Sequence, residues 1–232
     1  MNIQGENKNS IHLFSNVSVV MATKNEEHAI KKVIDDINRN TESQAEIIIV
    51  DGSDDKTAQI AESLNAIVFK QEPRGYGFAM IMGLLSASRE IIITLDCDNS
   101  YPAGSIPEFI VNIERGYDVV SGSRLLQNND SMPIINKIGN HCFALLSSLL
   151  YGIRVTDVTT GMRAYKKSVI RDIIWTENTG LSAELLLKPA KKGYRILEIP
   201  IVYNQRIGLT KLNPVTGGFE IFFSIIKCRF VD

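Results

Sequence analysis

The stretch Ile47-Ile48-Ile49-Val50-Asp51-Gly52-Ser53-Asp54-Asp55 decides the fold. Four consecutive β-branched residues suit a strand covered on both faces, because alternation is expected only where one face meets water. The acidic, glycine-containing run that follows ends the strand in a turn. The same rhythm recurs outward from it. Upstream, Val17 to Ala22 reads as a strand and Glu26 to Asn38 as a helix. Downstream come a helix at Lys56 to Leu64, a strand at Ala66 to Phe69, a helix at Phe78 to Ser88 and a strand at Ile91 to Leu95. Alternating strands and helices predict an α/β fold: a Rossmann-like, mostly parallel sheet with helices on both faces. Right-handed crossovers then set the carboxyl ends of the strands along one rim, where open α/β sheets bind ligands.

Further along, Asp118 to Ser121 reads as another strand, Ile134 to Leu150 and Leu181 to Lys192 as helices, and Tyr194 to Tyr203 as a late strand. Pro200 predicts that this strand lies at an edge or a bulge. The expected organisation is a flexible tail at 1–16, one domain at 17–212 and an amphipathic segment at 213–232. In that last segment Phe219, Phe222, Phe223, Ile226 and Phe230 recur at helical spacing beside a polar stripe of Glu220, Ser224 and Lys227. It can lie in a membrane interface or pack on the domain.

Twenty-five basic against 26 acidic residues give a formal charge of -1, which argues against a nucleic-acid partner and makes any anion recognition local. Three cysteines, Cys97, Cys142 and Cys228, without a CxxC pair predict neither a disulfide framework nor a zinc site, and fit a reducing cytoplasm. The polar start does not read as a secretory signal, and no stretch approaches the roughly 18 to 20 apolar residues of a membrane span.

Three polar clusters fall on the predicted rim. In Thr94-Leu95-Asp96-Cys97-Asp98-Asn99-Ser100, two carboxylates follow a buried strand; they can converge on a hard divalent ion such as Mg²⁺ or Mn²⁺, or simply open a turn. In Asp51 to Asp55, Asp54 or Asp55 suits helix capping, while Asp51 can accept hydrogen bonds from a base or ribose. In Ala22-Thr23-Lys24-Asn25-Glu26, Asn25 can cap the next helix. Neither GxGxxG nor GxxxxGK occurs at this first turn, which argues against a dinucleotide fold or a P-loop. Gly75-Tyr76-Gly77 alone reads as a tight turn.

Together these clusters resemble family 2 glycosyltransferases of the A-type fold, in the dolichol-phosphate mannose synthase and polyprenyl-phosphate glucosyltransferase branch. The resemblance runs over about residues 17–212. It rests on Asn25-Glu26, Asp51 with Asp54 to Thr57, Arg74-Gly75-Tyr76-Gly77, Asp96-Cys97-Asp98 and Gly122-Ser123-Arg124. Later come Asp157-Val158-Thr159-Thr160-Gly161-Met162-Arg163, similar to the branch's DxTxGFR, then Glu184 and a block from Lys192 through Pro200 to Arg206 and Lys211. Ala22 and Lys24 stand where the mannose synthases carry a proline and an aromatic residue.

The resemblance implies metal-dependent, inverting transfer of a hexose from GDP-mannose or UDP-glucose to a polyprenyl (dolichyl) phosphate. It implies a donor site of Ala22, Thr23, Asn25, Glu26, Asp51, Asp54, Gly75, Gly77, Asp96 and Glu184, and metal ligation by Asp96 and Asp98, with Ser100 at the place of a third ligand. Arg124, Lys137, Arg206 and Lys211 are implied at the acceptor phosphate, with Asp98, Arg124 and Arg206 catalytic. A cytoplasmic protein, peripheral at the membrane and with a possible separate tethering partner, follows from such an acceptor. The alternatives are a family 2 enzyme with a soluble sugar or protein hydroxyl acceptor, and a non-catalytic nucleotide-sugar binding protein.

Overall fold

The computed structural model describes residues 13–72, 74–127, 132–208 and 214–231, with 214 and 215 described by backbone alone. Strands β1 (Val17–Thr23), β2 (Glu46–Asp51), β3 (Ile67–Lys70), β4 (Ile91–Thr94), β5 (Val119–Ser123), β6 (Arg163–Lys166) and β7 (Ile196–Pro200) form one sheet, ordered β3-β2-β1-β4-β6-β5-β7. β1, β2, β3 and β4 pair in parallel, as β5 does with β7, while β6 runs antiparallel to both β4 and β5. Pro200 does end an edge strand, where a missing N–H costs no ladder bond.

β6 is the one strand that the sequence pattern does not announce. Its reversal has a functional consequence. Because Arg163 pairs with Thr94 at the carboxyl end of β4, the loop that precedes β6 arrives on the same rim as the loops that follow the parallel strands. The strand order also switches direction between β1 and β4, the place where such sheets open a ligand crevice.

The helices are α1 (Ile30–Asn40), α2 (Thr57–Ser63), α3 (Tyr76–Ser86), α4 (Ile106–Glu114), α5 (Ile134–Tyr151), α6 (Lys167–Asp172), α7 (Leu181–Lys191) and α8 (Pro214–Phe230). α1 buries Ile30, Val33, Ile34 and Ile37, the i, i+3, i+4, i+7 set of one helical face. At about 1.5–3 kcal/mol per fully buried aliphatic side chain, this face holds α1 in place. Its surface pairs Lys31–Asp35 and Lys32–Asp36 add only a few tenths, roughly 0.2–0.5 kcal/mol each. α1 and α4 cover one face of the sheet; α3, α6 and α7 cover the other.

Of the tail expected at 1–16, residues 1–12 lie outside the described residues. Phe14 is buried in the core, so the folded domain begins before Val17. The C-terminal segment is likewise part of the fold. α8 buries Ser224, Ile225 and Cys228, and the Ser224 hydroxyl donates to the Gly180 carbonyl at 3.1 Å. Its phenylalanines Phe219, Phe222, Phe223 and Phe230 stay exposed. No helix among the described residues is long and apolar enough to cross a membrane.

Candidate active site

The loops after β1 and β2 are zipped to each other. The Asn25 N–H donates to Ser53 Oγ (2.7 Å), the Asp54 N–H to Asn25 Oδ1 (2.9 Å) and the Glu26 N–H to Thr57 Oγ1 (2.8 Å). Asn25 therefore spans the two loops instead of capping α1, and adopts a positive φ of 52° that Asn tolerates better than most residues. Asp55 accepts the Thr57 N–H at 2.9 Å at the start of α2. Asp51 is buried and accepts from Thr23 Oγ1 at 2.6 Å and from the Ser53 hydroxyl at 2.5 Å.

Beside Asp51 opens a cavity of about 530 Å³ whose lining also includes Ser53, Asp55, Gln59, Lys70 and Gln71. Asp54, expected at the donor site, is exposed and lies outside that lining, where Asp55 takes the place. Lys70, Gln71 and Gln59 were missed by sequence reasoning. The available signal was positional: Lys70 and Gln71 end β3 on the same rim, with the Gln71 N–H donating to the Asp51 carbonyl at 2.9 Å.

Asp96 and Asp98 leave β4 at the crevice. Asp98 is buried and its Oδ1 accepts both the N–H (2.9 Å) and the hydroxyl of Ser100. Ser100, expected as a metal ligand, is thus fully buried and fixes Asp98 in place, a two-residue turn in which the hydroxyl is already committed. Asp98 Oδ2 meets Arg206 Nη1 at 2.7 Å, and Arg206 Nη2 reaches Glu26 Oε1 at 3.0 Å. Tyr76 Oη donates to Asp96 at 3.4 Å. Burial, with the Asp98 charge beside it, pushes the Asp96 carboxyl up to about 7, against the pull of Arg124 and Arg206.

Gly161 lies against Asp96: a Cβ there would sit 2.9 Å from Oδ2. The Gly161 N–H donates to Tyr101 Oη (2.7 Å) and its carbonyl accepts from Thr94 Oγ1 (2.8 Å), so the backbone is fixed where a side chain has no room. Among the described residues no group of three or more acidic, histidine or cysteine side chains is arranged to hold a metal ion by itself. The donor set fits a divalent ion held by two carboxylates, whose remaining ligands come from phosphate oxygens and water. Two neighbouring carboxylates, Asp98 buried and Asp96 half-buried, of which one resists ionisation, form the electrostatic condition that a cation relieves.

On the other side of the crevice, Arg124 is locked by Asp157. Nε donates to Oδ2 at 2.7 Å and Nη2 to Oδ1 at 2.8 Å, with a further bond to Thr159 Oγ1 at 2.8 Å. The guanidinium also lies 5.9 Å from the Tyr101 ring centre and 5.3 Å from that of Tyr203. Against the cost of full burial, Arg124 holds the Asp157 carboxyl below the usual range. Thr159 donates in turn to Asn140 Oδ1 on α5 at 2.6 Å. Lys137 lies in the first turns of α5, half-buried; Lys211 falls outside the described residues.

Three residues expected at the donor site, Glu184, Gly75 and Gly77, make architectural contacts. Glu184 is fully buried and accepts from the N–H of Thr176 (3.0 Å), the N–H of Glu177 (2.9 Å) and Lys188 Nζ (2.6 Å). Its carboxylate is consumed in holding the 176–178 loop, because a buried charge must be paired and hydrogen-bonded. That loop backs on the Gly75–Gly77 turn, where Gly77 N–H donates to Asn178 Oδ1 at 2.8 Å. A Cβ at Gly77 would fall 2.5 Å from the Asn178 backbone, and one at Gly75 (φ +108°) 2.2 Å from its side chain. These glycines are required by packing. Arg163 is similarly structural: 1% exposed, it donates to Ser121 Oγ and to the carbonyls of Ser182 and Val158.

Residues 18–174 match the sequence profile of glycosyl transferase family 2. A dolichyl-phosphate hexose transferase of Haloferax volcanii is 50% identical over 216 residues, covering 93% of this chain and 95% of the relative. A UDP-N-acetylglucosamine--dolichyl-phosphate N-acetylglucosaminyltransferase of Methanococcus voltae is 28% identical over 244 residues, covering 92% and 96%. Among solved structures, glucosyl-3-phosphoglycerate synthase of Mycobacterium tuberculosis, in complex with Mn²⁺, UDP and glucosyl-3-phosphoglycerate, superposes with a TM-score of 0.76 at 18% identity, covering 100% of this chain and 87% of that one. The last likeness is one of fold.

Proposed function

We propose that this chain, which belongs to glycosyl transferase family 2, transfers a hexose from a nucleotide sugar to a polyprenyl phosphate of the dolichyl type, with inversion at the sugar carbon and with a divalent ion at Asp96 and Asp98. That it is a glycosyltransferase follows from the family and from the close relative. The acceptor and the metal are the proposal. The single observation that carries the acceptor reading is 50% identity along nearly the whole of both chains to a dolichyl-phosphate hexose transferase.

The side chains suit that chemistry. The nucleoside would occupy the cavity beside Asp51, whose carboxylate is oriented by Thr23 and Ser53 to accept from a ribose or base. Asp96 and Asp98 would hold Mg²⁺ or Mn²⁺, Ser100 fixing the second and Gly161 leaving room for the first. The ion, when bound, stabilises the negative charge that grows on the leaving diphosphate.

A phosphate acceptor is ionised near neutral pH, so its oxygen can attack without a residue to take a proton. The residues asked for are cations and a shield from water. Arg206 already stands between two carboxylates at the crevice, and Arg124 is held rigid between Asp157 and two tyrosine rings; planar guanidinium groups match phosphate oxygens with paired donors. A peripheral position at the cytoplasmic membrane face follows from a lipid acceptor.

The test is incubation with labelled GDP-mannose and UDP-glucose, offering either polyprenyl phosphate or soluble sugars and peptides. Label that partitions into the organic phase supports the lipid acceptor. Label found only on a soluble acceptor would replace it with a hydroxyl-transfer reading.

A further inference from the structure

Glu198 stands on the edge strand β7, paired in register with Ser121 of β5. Its half-buried carboxylate reaches the turn that leads into β6. Oε1 accepts the N–H of Asp157 at 2.9 Å and shares that of Thr156, at 3.0 Å, with Oε2 at 2.8 Å. Oε2 also accepts the Thr156 hydroxyl at 2.8 Å. From this turn two arms return to β5. Asp157 grips Arg124 by the backbone N–H at 3.1 Å as well as by the guanidinium. Thr156 Oγ1 lies 2.6 Å from Ser123 Oγ, which accepts the Leu125 N–H at 3.1 Å. Arg124 is thus held from both sides by a turn that hangs on one carboxylate. The charge of that carboxylate works against the fold. Burial, with the Asp157 charge beside it, holds the Glu198 carboxyl above its usual range in spite of these bonds. When folding raises the pKa of an acid, stability falls as pH climbs through its titration, so ionised Glu198 costs the fold something at neutral pH. Local features kept against stability gather where function needs them.

We infer that Glu198 is a positioning residue for the acceptor side of the reaction: through Thr156 and Asp157 it sets the direction of the Arg124 guanidinium, and so the affinity for the acceptor phosphate. This rests on the reading of Arg124 as a phosphate contact given above. A planar guanidinium recognises phosphate through paired donors, so its direction counts as much as its charge. For Glu198 the reverse holds, and its reach is what matters. Both backbone N–H groups arrive at Oε1. The oxygen of a glutamine can receive them, while its NH₂ donates to the Thr156 hydroxyl, which accepts as readily as it donates. An aspartate keeps the charge but, one carbon shorter, leaves the two N–H groups beyond its grasp.

The test compares wild type with Glu198→Asp, Glu198→Gln and Arg124→Gln in the full chain. Calorimetry measures binding of a short-chain, water-soluble isoprenyl phosphate, and initial rates give KM for this acceptor and for the nucleotide sugar. Glu198→Asp is expected to weaken acceptor binding at least about tenfold and to raise the acceptor KM in step, with the donor KM unchanged. Glu198→Gln is expected to bind within about threefold of wild type, a recovery that a role for the charge does not allow. Glu198→Ala opens the same gap and gives the same readout if the aspartate variant fails to fold. Acceptor binding by Glu198→Asp equal to wild type, by Glu198→Gln as weak as by Glu198→Asp, or donor and acceptor KM rising together would each overturn the inference. Arg124→Gln tells the two readings apart. If it loses acceptor binding while Glu198→Asp keeps it, the inference alone falls; if it binds the phosphate as wild type does, the acceptor reading of Arg124 falls and takes the inference with it.

Discussion

Replacing Gly161 by alanine isolates the geometry of Asp96 from the stability of the fold. The added methyl carbon would stand 2.9 and 3.0 Å from the Asp96 carboxylate oxygens and 3.1 Å from its carbon, where ordinary contact begins near 3.4 Å. The Gly161 backbone cannot retreat, pinned by Tyr101 on its N–H and Thr94 on its carbonyl. Asp96 must therefore give way, by roughly 0.5 Å. As the far end of a side chain it moves cheaply, and the midpoint of thermal unfolding should change by only a few degrees. Function should respond far more, since a displacement of about 1 Å at a reacting centre costs on the order of 10²-fold. The expected loss in kcat is about tenfold to a hundredfold, with a weaker apparent affinity for Mn²⁺. Initial rates of hexose transfer across a Mn²⁺ titration, beside a circular-dichroism melt, read both quantities. A Gly161→Ala enzyme with wild-type kcat and metal dependence would refute the reasoning, as would one that has simply unfolded.

Three further substitutions separate architecture from chemistry. Asp157→Asn removes the carboxylate charge that pairs with Arg124 in the interior, which should cost about 3–5 kcal/mol in denaturant unfolding at pH 7. Because the Asp157 pKa is lowered in the fold, the stability it supplies is present above the unfolded carboxylate value near 4 and fades as pH falls through the lower folded one; the gap between wild type and variant should close in acid. Gly77→Ala meets backbone instead of a movable side chain, 2.5 Å from Asn178, and should destabilise by about 1–3 kcal/mol; an unchanged melt would contradict the packing role given to this turn. Arg206→Ala removes the cation shared by Asp98 and Glu26. Transfer to polyprenyl phosphate should fall at least about a hundredfold, the loss typical of one oriented charge at a developing anion, while titration with Mn²⁺ alone shows affinity equal to or above wild type.

Much of the fold was legible because the parallel strands are buried on both faces and write themselves as unbroken runs such as Ile47 to Val50 and Ile91 to Ile93. β6 was hidden for a physical reason: Arg163-Ala164-Tyr165-Lys166 places a guanidinium and a phenol in the interior, and burial of the guanidinium depends on Ser121, Ser182 and Val158, which no local pattern reveals. The acidic pair was legible from its place after a strand. The partners that define the work of each residue were not. Ser100 and Asp98 are two apart, yet which oxygen faces which is a matter of three dimensions. Glu184 carries the right charge at a plausible distance along the chain, but its carboxylate is spent on the 176–178 loop. That Ile134, Ile138, Leu145 and Leu149 of α5 face outward was also out of reach, since hydrophobic spacing alone says that a helix has an apolar side and never which way it turns.

The claim on which the account depends is that Asp96 and Asp98 work through a divalent ion on the leaving diphosphate. Its most direct measurement is the initial rate of labelled hexose transfer by wild type and Asp98→Asn, each with Mn²⁺ and with a chelator. The account predicts transfer by wild type that requires the metal and falls below about one hundredth in the variant, in line with the loss of one stabilising group at a developing negative charge. Transfer by chelated wild type at the metal-supplied rate, or by Asp98→Asn at the rate of wild type, would contradict it.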